Sequence, residues 1–82
     1  MLSMSEEKLN QFMAVYEPSL REAVTKYPLN YCWPIENVPV VAERMRAAIV
    51  RGTFGWDSKA FNITCKKLGI KHTRTAIREY LQ

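Results

Sequence analysis

The sequence predicts an all-α fold: one small domain of four to five short helices over residues 1–82. Three observations lead there. Apolar residues recur at helical spacing through most of the chain, no stretch alternates apolar and polar residues as a half-buried strand would, and prolines, glycines and capping residues cluster at helix boundaries. A chain of 82 residues has room for one core and little room for a deep cleft, since domains of this size bury only about 60% of their unfolded-state surface. With 48% apolar and 24% charged residues the composition excludes a disordered chain.

The first helix is expected over residues 4–16. Ser3 with Glu6 forms a capping box, Leu9, Phe12, Met13 and Tyr16 share one face, and Glu6 and Glu7 suit the positive helix end. Pro18 cannot donate a backbone hydrogen bond and disfavours helix at Glu17. It either kinks one long helix or opens a second. The second reading is preferred, with a helix over 18–27 burying Leu20, Ala23, Val24 and Tyr27 and ended by Pro28.

The stretch PLNYCWPIENVP carries three prolines and is expected to be a structured loop pinned by Trp33. The alternative is an exposed aromatic patch for a protein partner. Asn37 then caps a helix over 38–51, with Pro39 in its first turn and Gly52 at its end. Val38, Val41, Met45, Ala48 and Ile49 form its inward stripe, which marks it as the central helix. In the linker GTFGW, Phe54 and Trp56 plug the end of the core. Asp57 caps a helix over 57–68 whose inward face is Ala60, Phe61, Thr64, Cys65 and Leu68, and Gly69 ends it in the left-handed conformation. The last helix, 73–81, starts at Thr73 or at Lys71–His72 and turns Ala76, Ile77, Tyr80 and Leu81 inward.

Catalysis finds little support. Cys32, Cys65 and His72 make no metal-ligand spacing, and there is no glycine-rich phosphate loop and no nucleophile elbow. No serine has a histidine partner in a defined arrangement. A non-enzymatic protein without cofactor or small-molecule substrate is expected. No apolar run reaches the ~18–20 residues that span a bilayer, and MLSMSEEKLN lacks the pattern of a secretory signal. The expected location is cytoplasmic, with both cysteines reduced and mostly buried.

Charge is polarised along the chain. Residues 1–37 carry three basic against five acidic side chains, and residues 38–82 carry nine against three, for net charges of −2 and +6. A segregated basic half can steer a protein onto a polyanion. The plain alternative is a solvated surface with no partner. The cations concentrate in the last two helices as Lys59, Lys66, Lys67, Lys71, Arg74 and Arg78.

Within that pair, CKKLGI resembles the first half of a bacterial helix-turn-helix: a small residue, Cys65, four before Gly69, with Leu68 and Ile70 flanking the glycine. In that family the small residue lets the second helix approach and the glycine makes the turn. The second half departs from the pattern. The family has apolar residues six and nine positions after the glycine, where this chain has Thr75 and Arg78. Its apolar Ile77, with Tyr80 or Leu81, comes about two residues late. Either the turn is longer or the pair is an ordinary helical hairpin.

The resemblance covers residues 57–82 and implies duplex DNA as partner, read by the last helix in the major groove. His72, Thr73, Arg74, Thr75 and Arg78 become base-contact candidates, and Lys59, Lys66, Lys67 and Lys71 phosphate-contact candidates. Against each stands a plainer role: solvated lysines, a turn histidine, a core Tyr80. A short recognition helix without a wing or arm binds weakly, so a homodimer is expected, with the acidic N-terminal helices as its surface. The chain also resembles small phage, prophage and plasmid gene products, which include accessory DNA-binding factors, transcriptional regulators and proteins that modulate a host protein. For host-protein binding the contact surface would be Tyr31, Trp33, Phe54 and Trp56. Burial of those aromatics argues against that use, and an exposed cluster argues for it.

Overall fold

The computed structural model describes residues 4–82. It is all-α, with four helices and no strand among the described residues: α1 (Glu6–Lys26), α2 (Val38–Arg51), α3 (Ser58–Leu68) and α4 (Arg74–Tyr80). Two single turns of 3-10 helix, Pro28–Asn30 and Ile35–Asn37, lie in the proline-rich connection between α1 and α2.

The largest departure from expectation is α1, which runs unbroken through Pro18 where two helices, 4–16 and 18–27, were expected. Its buried residues Leu9, Phe12, Tyr16, Leu20, Ala23 and Val24 keep one helical phase across the proline, so a break there would turn half of the stripe away from the core. Pro18 itself sits on the exposed face above Ala14, also exposed, whose carbonyl loses its helical donor where water can replace it. Beside it the buried Ser19 hydroxyl donates to the Val15 carbonyl at 2.7 Å. The N-cap of α1 is Ser5, whose side chain accepts from the Lys8 N–H at 3.2 Å. The expected capping residue Ser3 lies outside the described residues. Tyr27, expected in the buried face, falls just past the helix and is 39% exposed.

α1, rather than α2, is the central helix: α3 and α2 both pack on it, α3 more extensively. α2 fully buries only Val38, Ala42 and Ile49, while Val41, Met45 and Ala48 pack half-buried around them. Pro39 stands in the first turn as expected. Asn37 precedes the helix without capping it, because its backbone (φ −82°, ψ −4°) closes the preceding 3-10 turn instead of adopting the extended N-cap conformation.

Aromatic rings fill the centre. Phe61 of α3 lies between 4.9 and 6.4 Å, centroid to centroid, from Trp56, Tyr16, Phe54 and Phe12. Phe54 is buried and Trp56 half-buried, as the linker reading required. Ala60, Phe61, Thr64 and Cys65 are all buried, with Leu68 half-buried at the end of the same face. Of the cysteines only Cys65 is buried; Cys32 is exposed in the loop, contrary to the expectation of two mostly buried thiols, and both are unbridged. The three prolines around Cys32 keep its segment out of any helix that could fold it onto the core.

Candidate nucleic-acid interface

The basic surface is built by α3, its C-terminal turn and α4. Asp57 opens α3, accepting the Ala60 N–H at 3.2 Å. At the far end Gly69 takes φ +70° and ψ +30°. The Ile70 N–H reaches the Cys65 carbonyl at 3.0 Å and the Gly69 N–H reaches that of Lys66 at 3.3 Å, the paired bonds of a Schellman ending. The chain then turns, the Thr73 N–H reaching back to the Lys71 carbonyl at 2.9 Å, and the Thr73 side chain accepts the Ala76 N–H at 3.1 Å and caps α4.

Five residues, 69–73, therefore separate α3 from α4. This connection accounts for the late apolar spacing. Thr75 and Arg78, at the positions where the resembled family has apolar residues, are exposed, whereas Ile77 and Leu81 are buried. α4 does not pack lengthwise on α3. Side chains seat it: Ile77 and Leu81 enter the core, Tyr80 approaches Phe12 at 6.4 Å between centroids, and the Leu81 carbonyl accepts the Ser5 N–H at 2.7 Å.

The candidate contact residues divide by what already holds them. Lys66 and Lys71 are exposed and have no ion-pair partner among the described residues. Lys67 lies 3.8 Å from Glu22 of α1, which also pairs with Lys26 at 3.5 Å. Lys59 is half-buried, its ammonium 4.5 Å from the Tyr27 ring centroid. Each of these two lysines thus has a partner at the end of α1, through contacts that are individually weak at a surface.

On α4 the outward side holds Arg74, Thr75, Arg78 and Glu79. Both guanidinium groups lie over the Phe54 ring, each 5.7 Å from its centroid. Both arginines nonetheless remain exposed. Thr73 is committed as a cap, while His72 and Thr75 are exposed without a side-chain hydrogen bond among the described residues. Glu79 puts one carboxylate on this side, a residue the candidate set passed over.

Two further features were not foreseen. Arg51, at the end of α2, joins Arg78 at the mouth of a cleft of about 290 Å³ floored by Ile49, Phe54 and Leu81. It extends the basic surface beyond α3 and α4; its place in the last turn of α2 gave the only signal. The second is a cleft of about 400 Å³ edged by Tyr31, Trp33, Trp56 and Asp57. There the Tyr31 hydroxyl donates to Asp57, and burial together with that bond pushes its pKa well above the usual tyrosine range. Tyr16, at the base of the same cleft, is fully buried with no hydrogen-bond partner for its hydroxyl among the described residues; burial first, then the Asp57 charge, raises its pKa as well.

Of the aromatic set offered for a protein partner, Phe54 is buried and Tyr31, Trp33 and Trp56 are half-buried. Among the described residues no three acidic, histidine or cysteine side chains are grouped to hold a metal ion, and no helix is long and apolar enough to cross a membrane. No family model matches the chain, and neither does any curated protein or solved structure.

Proposed function

We propose that this chain is a non-enzymatic DNA-binding protein that meets duplex DNA with the surface running from Lys66 through α4 to Arg51. One observation carries the reading: Lys66, Lys71, Arg74 and Arg78 are exposed around one connection, and none has an ion-pair partner among the described residues. Unpaired cations concentrated in one segment of a small domain favour a polyanionic partner through counterion release. The geometry supports phosphate contacts from Lys66 and Lys71, with Arg74, Arg78, His72 and Thr75 as the side chains available to base edges. Lys59 and Lys67 keep their partners at the end of α1 in this reading, and Thr73 acts as the cap of α4. Such a protein would serve as a transcriptional or accessory factor, of the kind encoded by phage and other mobile elements, in the cytoplasm.

The test is fluorescence anisotropy with a labelled random-sequence duplex across a salt series. Affinity should fall steeply with salt, and Lys66→Ala with Lys71→Ala should flatten the log–log slope by about two. Lys67→Ala should change it less, since Glu22 already partners that lysine. Absence of binding at low salt would overturn the reading and turn attention to a host-protein partner. The half-buried Tyr31, Trp33 and Trp56 support that second reading less well, because they offer no exposed cluster.

A further inference from the structure

The face of α2 turned away from the core has an order of its own. Glu36 is exposed in the 3-10 turn that runs into the helix, and within the helix Val40, Glu43, Arg44, Ala47 and Arg51 follow one another at helical spacing, all exposed. At 100° per residue they fall within a stripe about 100° wide, opposite the buried Val38, Ala42 and Ile49. Val40 is 53% exposed, and Val50 on the edge of the stripe is 59% exposed. Pro39, Val40, Glu43, Arg44 and Ala47 line a shallow surface groove. None of the four charged residues in the stripe has an ion-pair partner among the described residues, although Glu43 and Arg44 are neighbours in the chain.

The order of these residues is complementary to its own reverse. Laid antiparallel on a second copy about a two-fold axis, the stripe sets Glu36 against Arg51, Val40 against Ala47 and Glu43 against Arg44, each pair occurring twice. A two-fold interface requires that kind of self-complementarity. The small Ala47 leaves room for Val40 of the other copy, so the two helices can approach closely. A parallel arrangement would set Glu43 near Glu43 and Arg44 near Arg44, and like charges brought together across an interface are strongly unfavourable.

We propose that the outer face of α2 is a homodimer surface, on which two copies of this chain pair antiparallel through Glu43–Arg44 and Glu36–Arg51 contacts flanking Val40 and Ala47. This moves the expected dimer surface from the acidic first helix to α2. The contact is one helix face wide, so the dimer is weak, as interfaces burying less than about 1,200 Å² in total generally are. The stripe shares only Arg51 with the proposed DNA surface, and the variants below leave Arg51 intact. Pairing is therefore measurable without nucleic acid and does not depend on the DNA reading.

Sedimentation equilibrium of the full chain at roughly 10–500 µM, the range suited to a contact of this size, tests the proposal. The average mass should rise with concentration from the 9.5 kDa of the monomer toward twice that value. Glu43→Arg alone places arginine against arginine at two positions, and Arg44→Glu alone places glutamate against glutamate. Each should weaken self-association on the order of ten-fold or more. An equimolar mixture of the two variants, which restores opposite charges at both positions, should associate at least as well as the parent chain. Both side chains are exposed and make no hydrogen bond among the described residues, so the variants should keep the parent circular dichroism spectrum. A parent chain that stays monomeric throughout overturns the proposal. So does a single variant that dimerises unimpaired, or a mixture that fails to recover association.

Discussion

The Tyr31 hydroxyl donates to both carboxylate oxygens of Asp57, at 2.9 and 3.1 Å, and so fastens the proline-rich loop to the first turn of α3. The same carboxylate caps that turn through the Ala60 N–H. One side chain thus anchors the loop and begins α3.

Removing either partner should have distinct effects. Tyr31→Phe should lower unfolding free energy by about 1 kcal/mol, the net worth of one hydrogen bond. Asp57→Ala removes the cap as well and should cost about 1–2 kcal/mol. In urea titrations the double variant should lose less than the sum of the two, because the groups share one contact. Strict additivity would show that the hydrogen bond between the two side chains contributes no coupling energy.

Alkaline pH should destabilise the fold through Tyr16 and Tyr31. Both phenols hold their protons more tightly in the folded chain than in the unfolded one. Their contribution is complete below the ordinary tyrosine pKa of about 10 and is lost as pH rises above it, since only the unfolded state then releases the protons. Phenolate absorbance should show these two tyrosines ionising together with the loss of helical circular dichroism. Ionisation of both while the helical signal is intact would contradict their burial and bonding.

Pro18→Ala should stabilise the protein. The structure runs α1 straight through an exposed proline, so alanine restores a backbone donor and relieves the ring's contact with the preceding turn. A gain of about 1–3 kcal/mol in chemical denaturation, with helical signal unchanged or higher, is expected. A loss of stability would mean that residues 18–26 depend on a break at this point.

The two thiols should differ sharply toward a disulfide reagent. Cys32 is exposed and should react within the mixing time of a manual assay, whereas Cys65 is buried and burial raises its thiol pKa. One equivalent should react in the native protein and the second only on unfolding.

Periodicity made most of this fold legible in the sequence. The stripe Ala60, Phe61, Thr64, Cys65 and the endings at Gly52 and Gly69 could be read from spacing and glycine placement, because local geometry decides them. Pro18 misled because a proline rule acts on four or five residues, while the stripe that overrides it spans all of α1. The role of Asn37 was lost to a 3-10 turn that no apolar period announces. At the candidate interface the cations were legible as a cluster, but their commitments were not. Lys67 with Glu22, Lys59 with Tyr27 and Arg78 with Phe54 join residues far apart in sequence, and only the packing of α3 on α1 and the seating of α4 bring them together.

The short bond from the Ser5 N–H to the Leu81 carbonyl places opposite ends of the described chain at one point. In topological terms the path of the backbone is nearly a closed ring, and a ring can be opened anywhere that its cutting disturbs nothing. Leu29 is fully exposed in the loop after α1 and buries no side-chain surface. A chain opened there, with Gln82 joined to Met4 through a short glycine-rich linker, should keep all four helices and the same core. The order in which the helices are synthesised is then no part of what specifies their arrangement.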